Sequence, residues 1–526
     1  MSSPGAGTDN QSSLMRIGTT AHKNGDLCSA ESSYRAVLAL CPHPGASLLL
    51  AGALLARATF ESAAATALCT EALAHARASV ANVSSRANSD ATRLHTRFGL
   101  FLLQLTGVVL VEGGDAEGAP ALRASLSDAM RSKLIGEAVA ALEAATALDA
   151  SSVIAWRHLA TARAAAGATA GAAAAADGAV RAAGPRASWE LYYKAGKAHK
   201  KAGDVNAALE RYATAAEAAR AAGDTSDASA LPLFWLRVAL APGGEDGVRE
   251  STRERVAAVV GAADAAAAPV GNDSVYSSLT APPNVYVQRL FDGYANNFDE
   301  HLVGALEYRT PEELRELACS ARSGAEGAWL HAADVGCGTG LACASMHNLV
   351  EAWSGCDLSP KMIAAARARG GYGALAVGDA VGWLAGLARS AAASPSVTPV
   401  DFVVAADVLV YLGDLGAFFS AASAALEGAS GGAARVDAEG RVRPAPIALV
   451  STEALAPCVL NDEEEAALAP QGWLLTHTGR CAHARIHVRN AAGRAGLCVE
   501  RVERVQLRKN AGEPVMGDLW VLRVAA

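Results

Sequence analysis

The chain has 526 residues, well beyond the length at which one hydrophobic core stops growing, so at least two domains are expected. Apolar residues make up 51% of it but aromatics only 5%, so alanine carries much of the apolar content and closely packed helices are favoured, above all in the first half. A net charge of −8 without any Lys/Arg run argues against nucleic-acid binding by bulk electrostatics, the arginines between Arg480 and Arg508 being the one local cluster.

The N-terminal stretch Met1 to Leu14 is polar, carries an acid at Asp9 and has no apolar h-region, so no secretory signal is expected. Beyond it the chain repeats itself. Gly18/Gly196, Gly25-Asp26/Gly203-Asp204, Ala30/Ala208 and Tyr34/Tyr212 keep identical offsets. A helix with small residues, a Gly-Asp turn, and a second helix with an aromatic four residues after an alanine let two helices approach closely. A third copy starts at Trp156, with Leu159-Ala160, Arg163 and Gly167 in matching places and a preceding helix over Glu137–Ala145. The segment Thr59 to Arg131 matches poorly and reads as degenerate or insertion-bearing repeats. Within it Phe98 to Val111 is apolar but broken by Gln104 and shorter than the ~20 residues of a membrane span, which predicts a buried helix and no membrane association. A single repeat cannot bury its own apolar face, so a stacked array is expected from about Leu14 to Ala263. Its use is either to hold a protein or peptide partner or simply to support the domain behind it.

Asp264 to Pro283 passes from an alanine run into Gly, Asn, Ser, Thr and Pro-Pro, the composition of a linker. From residue 284 to 526 short β-rich runs alternate with helical stretches. Ala332–Val335, Glu351–Cys356, Ala374–Val377, Asp401–Ala405 and Ile447–Ser451 are the predicted strands, so a parallel sheet with helices on both faces is expected. Ser390–Pro399 and Gly428–Pro446 read as surface loops.

Chemistry concentrates after these strands. Asp334-Val-Gly336-Cys337-Gly338-Thr-Gly340 follows the first strand and opens a helix, where glycines let backbone N–H groups approach a ligand and turn the chain. The dinucleotide fingerprint G-x-G-x-x-G would place its third glycine one residue later. Seventeen residues after Gly340, Asp357 ends the second strand, where a carboxylate accepts from both ribose hydroxyls and disfavours a 2′-phosphate. The alternative for Asp357, a turn residue before the helix at Pro360, is a role Ser359 fills better. Asp379 follows the third strand, as an adenine partner or a plain turn residue. Asp407 ends the fourth, four residues before Tyr411. Asp334, Asp357, Asp379 and Asp407 should therefore meet on one rim. Upstream, Phe291, Tyr294 and Phe298 have helical spacing, as core or as a lid.

Together, Tyr-Val-Gln-Arg-Leu-Phe-Asp-Gly-Tyr-Ala, Asp-Val-Gly-Cys-Gly-Thr-Gly, Asp-Leu-Ser-Pro-Lys-Met, Val-Gly-Asp-Ala and Ala-Ala-Asp-Val resemble class I S-adenosylmethionine-dependent methyltransferases. The repeats resemble tetratricopeptide repeats, a combination found in a family of predicted methyltransferases. The resemblance covers nearly all of the catalytic half and only the architecture of the other. It implies an all-α tetratricopeptide-like array (14–263), a linker (264–283) and a Rossmann-like α/β domain (284–526). It further implies S-adenosylmethionine bound by Asp334, Gly336, Cys337, Gly338, Gly340, Asp357, Leu358, Asp379, Ala380 and Asp407, with Tyr294 and Phe298 shielding the sulfonium. For the acceptor, Tyr411 borders the cleft, and Arg480 and His483, or His477, are candidates to hold an acidic group or act as base, against the alternative of a solvated basic loop. No catalytic base is assigned.

Ten scattered cysteines, with no C-x-x-C pair and no zinc-ligand spacing, indicate neither metal nor disulfide framework and suit the cytosol. Two rival functions share parts of this pattern: an NAD-dependent oxidoreductase, which the glycine spacing disfavours, and a non-catalytic scaffold that only senses a cofactor.

Overall fold

The computed structural model describes residues 5–40, 42–60, 65–81, 88–108, 126–241, 243–244, 246–267, 281–295, 298–299, 307–394, 396–430, 436, 440–510 and 512–525. The chain divides into two compact units, 1–222 with 247–252, and 223–246 with 253–526.

In the first unit, ten described helices run α1 Gly5–Lys23, α2 Leu27–Leu40, α3 Pro44–Phe60, α4 Ala65–Val80, α5 Asn88–Leu105, α6 Asp128–Leu148, α7 Val153–Ala165, α8 Thr169–Ala183, α9 Trp189–Lys201 and α10 Val205–Ala221. They pack as successive pairs, α1 on α2 through α9 on α10. The Gly-Asp turns explain themselves: Gly25 and Gly203 have φ of 79° and 81°, which ends a helix cheaply only at glycine. Asp26 and Asp204 then accept from the backbone N–H of Ser29 and Ala207, each at 3.0 Å, capping the next helix. A Cβ on Gly18 would lie 2.7 Å from Tyr34, and one on Gly196 2.6 Å from Tyr212; both tyrosines are buried there. The poorly matching stretch also forms helix pairs, α3 with α4 and α5 with α6, while residues 61–64, 82–87 and 109–125 lie outside the described residues. Phe98, Phe101, Leu102, Leu103 and Leu105 are buried on α5, as the apolar run predicts.

The division between units falls well before the Ala263 read from the sequence. Helix α11, Leu231–Leu240, puts Phe234 and Val238 into one cluster with Leu475 and Cys481 of the α/β unit. The Phe234 and Tyr286 rings are 4.6 Å apart, and Asp227 accepts from the backbone N–H of Val285 at 2.7 Å. The apolar surface of α11 is thus satisfied by the second unit. Helix α12, Glu250–Ala267, follows; of the expected linker, 268–280 lie outside the described residues.

The second unit continues with α13 Asn284–Tyr294, α14 Thr310–Ala321, β1 Trp329–Val335, α15 Leu341–Met346, β2 Val350–Asp357, α16 Pro360–Arg369, β3 Ala374–Val377, α17 Ala380–Ala393, β4 Phe402–Ala405 and α18 Gly416–Ser430. It ends with β5 Ile447–Ala454, α19 Asp462–Leu468, β6 Trp473–Leu475, β7 Cys481–His483, α20 Arg485–Arg494, β8 Leu497–Asn510 and β9 Glu513–Val524. The described strands form one sheet ordered β3-β2-β1-β4-β5-β7-β6, with β9 on β5 and β8 on β9. Pairings from β3 to β5 are parallel; β9 runs antiparallel to β5. Strands buried on both faces read as continuous apolar runs, and β4 divides its residues accordingly. Val403 and Ala405 face one core with Leu384, Phe418 and Val488. Phe402 and Val404 face the other with Leu314, Leu317 and Met346. The fold class is therefore the expected pair, a helical array and a Rossmann-like α/β domain.

Of the two expected surface loops, Ser390–Ala393 instead continues α17 and Gly428–Ser430 ends α18; most of 431–439 lies outside the described residues. Among the described residues no helix is long and apolar enough to cross a membrane, and no group of three His, Cys, Asp or Glu could hold a metal ion.

Candidate functional site

The carboxyl ends of β1 to β4 open on a cavity of about 370 Å³. Asp334, Gly336, Cys337, Gly338, Asp357, Leu358, Asp379, Ala380, Asp407, Phe298, Tyr411 and Arg480 all line it. The acids and glycines meet because each strand ends where its following loop must turn back, whereas Phe298 comes from the segment after α13 and Arg480 from the turn between β6 and β7.

The glycine loop is forced by sterics. Gly336, Gly338 and Gly340 have φ of 62°, 54° and 90°, and a Cβ on Gly336 would lie 2.5 Å from Val408. Asp357, 8% exposed, accepts from the backbone N–H of Gly338 at 3.0 Å and from that of Ser359 at 2.8 Å. Each carboxylate oxygen thus keeps one lone pair for a ligand. Ser359 caps α16 by accepting from the Met362 N–H, while Asp357, through the Ser359 N–H, also shapes the turn before that helix. Burial raises the Asp357 carboxyl above its usual range, opposed by these two N–H groups. Asp334 accepts from the Tyr372 hydroxyl at 2.5 Å. Burial pushes it up to about 7 despite that bond.

Asp379 caps α17, accepting from the Gly382 N–H at 2.8 Å, while still lining the cavity. Asp407 has φ of 57°, uncommon for a residue with a side chain. Its N–H donates to Ser451 Oγ at 2.7 Å, and its carboxylate accepts from Arg508 at 2.7 Å. Arg508 also reaches Glu453 at 2.5 Å and is 3% exposed. Burial works against its charge, but Asp407 and Glu453 together hold its pKa above the usual arginine value. Sequence reasoning missed Arg508, which lies 101 residues from Asp407 with no local signal. It missed Tyr308 as well, a buried phenol on the cavity wall.

The lid is partly corrected. Asn284, Val287 and Phe291 form the cavity face of α13, at spacings that share one side of a helix. Tyr294, the last residue of α13 and seven on from Val287, keeps to that side but lies beyond the wall: it is 45% exposed and does not line the cavity. Phe298 does, lying 3.7 Å from a Cβ on Gly338. Two acids beside these aromatics tie the segment down. Ser359 Oγ donates to Asp292 at 2.6 Å, Thr339 Oγ1 donates to Asp299 at 2.6 Å, and Arg369 pairs with Asp299.

His483 is corrected too. It is 1% exposed, with Nε2 donating to the carbonyls of Leu412 and Gly413 at 2.8 and 3.2 Å. Burial lowers its pKa to about 4, so it is a neutral structural imidazole outside the cavity lining. Gly340, which immediately precedes α15, and His477 also lie off the wall.

An open α/β sheet with a glycine loop and four acids around one cavity defines a domain that binds a nucleotide-like cofactor at its topological switch point. Residues 332–428 match the model of the family described as "Methyltransferase domain". No curated protein matches the chain. Among solved structures, the chain is similar to magnesium protoporphyrin IX methyltransferase from Synechocystis PCC 6803 with bound S-adenosylmethionine, at 15% identity and TM-score 0.29, over 46% of this chain and 96% of that one. It is also similar to the N-methyltransferase NodS from Bradyrhizobium japonicum WM9 with S-adenosylhomocysteine, at 14% identity and TM-score 0.28, over 45% and 97%. A tetratricopeptide-repeat protein of Thermus thermophilus matches at 16% identity and TM-score 0.28, over 43% and 99%.

Proposed function

We propose that the second unit transfers a methyl group from S-adenosylmethionine to an O, N or S nucleophile, and that the helical array holds a protein or peptide partner. The observation that carries this reading is Asp357, which lines the cavity beside Gly338 and whose two carboxylate oxygens each accept one backbone N–H and keep a lone pair to spare. That is what a pair of ribose hydroxyls needs. When bound, the cofactor supplies a methyl group already activated by positive sulfur.

The chain's own contribution is chiefly alignment, which can be worth roughly 7–11 kcal/mol of barrier. Asp357 would hold the ribose, and the Asp379-Ala380 turn would border the adenine. Asp334 and the N–H groups of the glycine loop would bind the amino-acid end. Phe291 and Phe298, rings 6.0 Å apart, would exclude water and offer aromatic faces to the cation. We place this activity in the cytosol, a setting that suits scattered cysteines without a disulfide framework.

The test is incubation of the full chain with methyl-labelled cofactor and cell extract, followed by separation of protein, nucleic acid and small molecules. Label transferred by the wild type and lost with Asp357→Ala supports the reading. Equal labelling by both proteins contradicts it.

A further inference from the structure

Arg480 stands apart from the other shielded arginines near the C-terminus. Arg485 and Arg504 both pair with Asp518, Arg508 with Asp407 and Glu453, and Arg523 with Glu500. Arg480 is also only partly exposed, yet among the described residues it has no carboxylate within salt-bridge distance. Its Nε donates to the Tyr411 hydroxyl at 3.3 Å, and its guanidinium lies 6.0 Å from the centre of that ring. Both are contacts to a neutral group. A guanidinium facing a cavity with five donors and one weak partner is built for an anion that arrives from outside.

Its place along the sheet separates it from the ribose partner. Asp357 ends β2 and Arg480 immediately precedes β7, four strand steps away in the order β2-β1-β4-β5-β7. At about 4.8 Å per step that is roughly 19 Å, so the end of the cavity at Arg480 is not the ribose end. Between the two ends the wall is aromatic, with the Phe291 and Tyr411 rings edge to face at 5.6 Å.

We infer that Arg480 anchors a carboxylate carried by the methyl acceptor, a small molecule whose flat apolar body lies against Phe291 and Tyr411. This rests on the cavity being a methyl-transfer site. Tyr411 positions the guanidinium through its hydroxyl and ring, while the aromatic wall accepts the acceptor's body by area burial. The charged, two-pronged contact gives selectivity against the neutral amide of the same shape, because the amide leaves the guanidinium without its counter-charge.

The test uses the full chain saturated with S-adenosylhomocysteine and titrated calorimetrically with benzoate, 4-hydroxybenzoate, cinnamate and indole-3-acetate, and with the four corresponding primary amides. The expected result is that at least one acid binds and its amide binds at least about 10-fold more weakly. Arg480→Gln should weaken that acid roughly 10- to 100-fold and leave S-adenosylhomocysteine affinity unchanged. Arg480→Lys should retain part of the binding, and Tyr411→Phe most of it.

No acid binding, or acids and amides binding alike, overturns the inference, and this comparison stands on the wild type even if Arg480→Gln fails to fold. A loss of S-adenosylhomocysteine affinity in Arg480→Gln also overturns it, by giving the arginine to the cofactor. Failure of the wild type to bind S-adenosylhomocysteine at all is a separate outcome, seen before any acid is added, and it removes the methyl-transfer reading itself.

Discussion

Arg508 is a cation 3% exposed to solvent, held by two carboxylates that are themselves largely shielded. Removing one member of such a group strands the charge of the others, which costs about 3–5 kcal/mol, whereas replacing the whole group by neutral side chains costs far less. Arg508→Met should therefore lower the unfolding free energy of the α/β unit by that much, read from denaturant titrations. The triple variant Arg508→Met, Asp407→Asn, Glu453→Gln should recover most of it, and equal losses in the two proteins would refute the coupling. Asp334 makes the opposite kind of statement. Its carboxyl is raised from 3.8 to about 7 by burial, so the folded state holds the proton more tightly than the unfolded one. The stability it contributes is full below about pH 4 and is lost as pH rises through 7. Asp401, raised by burial to about 6, adds a loss over a slightly lower window. In Asp334→Asn the fall in unfolding free energy between pH 4.5 and 7.5 should shrink, as denaturant titrations at the two pH values would measure. Under the proposed function, wild-type affinity for the cationic cofactor should rise over the same window, because only the ionised carboxylate attracts it.

Helix pairs in the first unit depend on glycines of two kinds. Gly196 faces Tyr212, and its added Cβ would sit 2.6 Å from the ring. Overpacking of that sort costs about 1–3 kcal/mol, so Gly196→Ala should lower the thermal midpoint. Gly136, exposed on α6 with nothing within 4 Å of an added Cβ, should behave oppositely. Gly136→Ala should stabilise by about 0.5–1 kcal/mol. A shared sign for both variants would refute this packing account. The Gly-Tyr pairing was legible from the sequence because the steric demand fixes both residue types and their offset. The hairpin of β8 and β9 was not. Strand β8 carries Arg501, Glu503 and Arg504, its buried and exposed residues do not alternate, and its pairing with β9 shifts register at Val499/Arg501 and at Gln506/Arg508, so it has no period-two signal to read. In α13 the aromatic spacing was legible, but not that the cavity wall ends at Phe291, since Tyr294 shares the helix side and differs only by lying at the end of the helix.

At the scale of the molecule, chain order and compact units disagree. Residues 223–246 follow the repeats in sequence but join the α/β unit, because Phe234 and Val238 find their apolar partners there. Sequence periodicity alone could not see this, as a helix reads the same whichever core receives it. The rim of acids was legible because each lies at the carboxyl end of its own strand or within two residues of it. Arg508, Tyr372 and Tyr308 reach the same site from separate elements, and their roles exist only once the sheet has closed the distance. The central claim is that this rim grips an adenosyl group ending in a sulfonium amino acid. Calorimetric titration of the full chain with S-adenosylhomocysteine and with NAD tests it most directly. The account predicts saturable binding of S-adenosylhomocysteine, weakened roughly 10- to 100-fold by Asp357→Ala, with NAD binding weak or absent. Tight NAD binding without S-adenosylhomocysteine binding would contradict it.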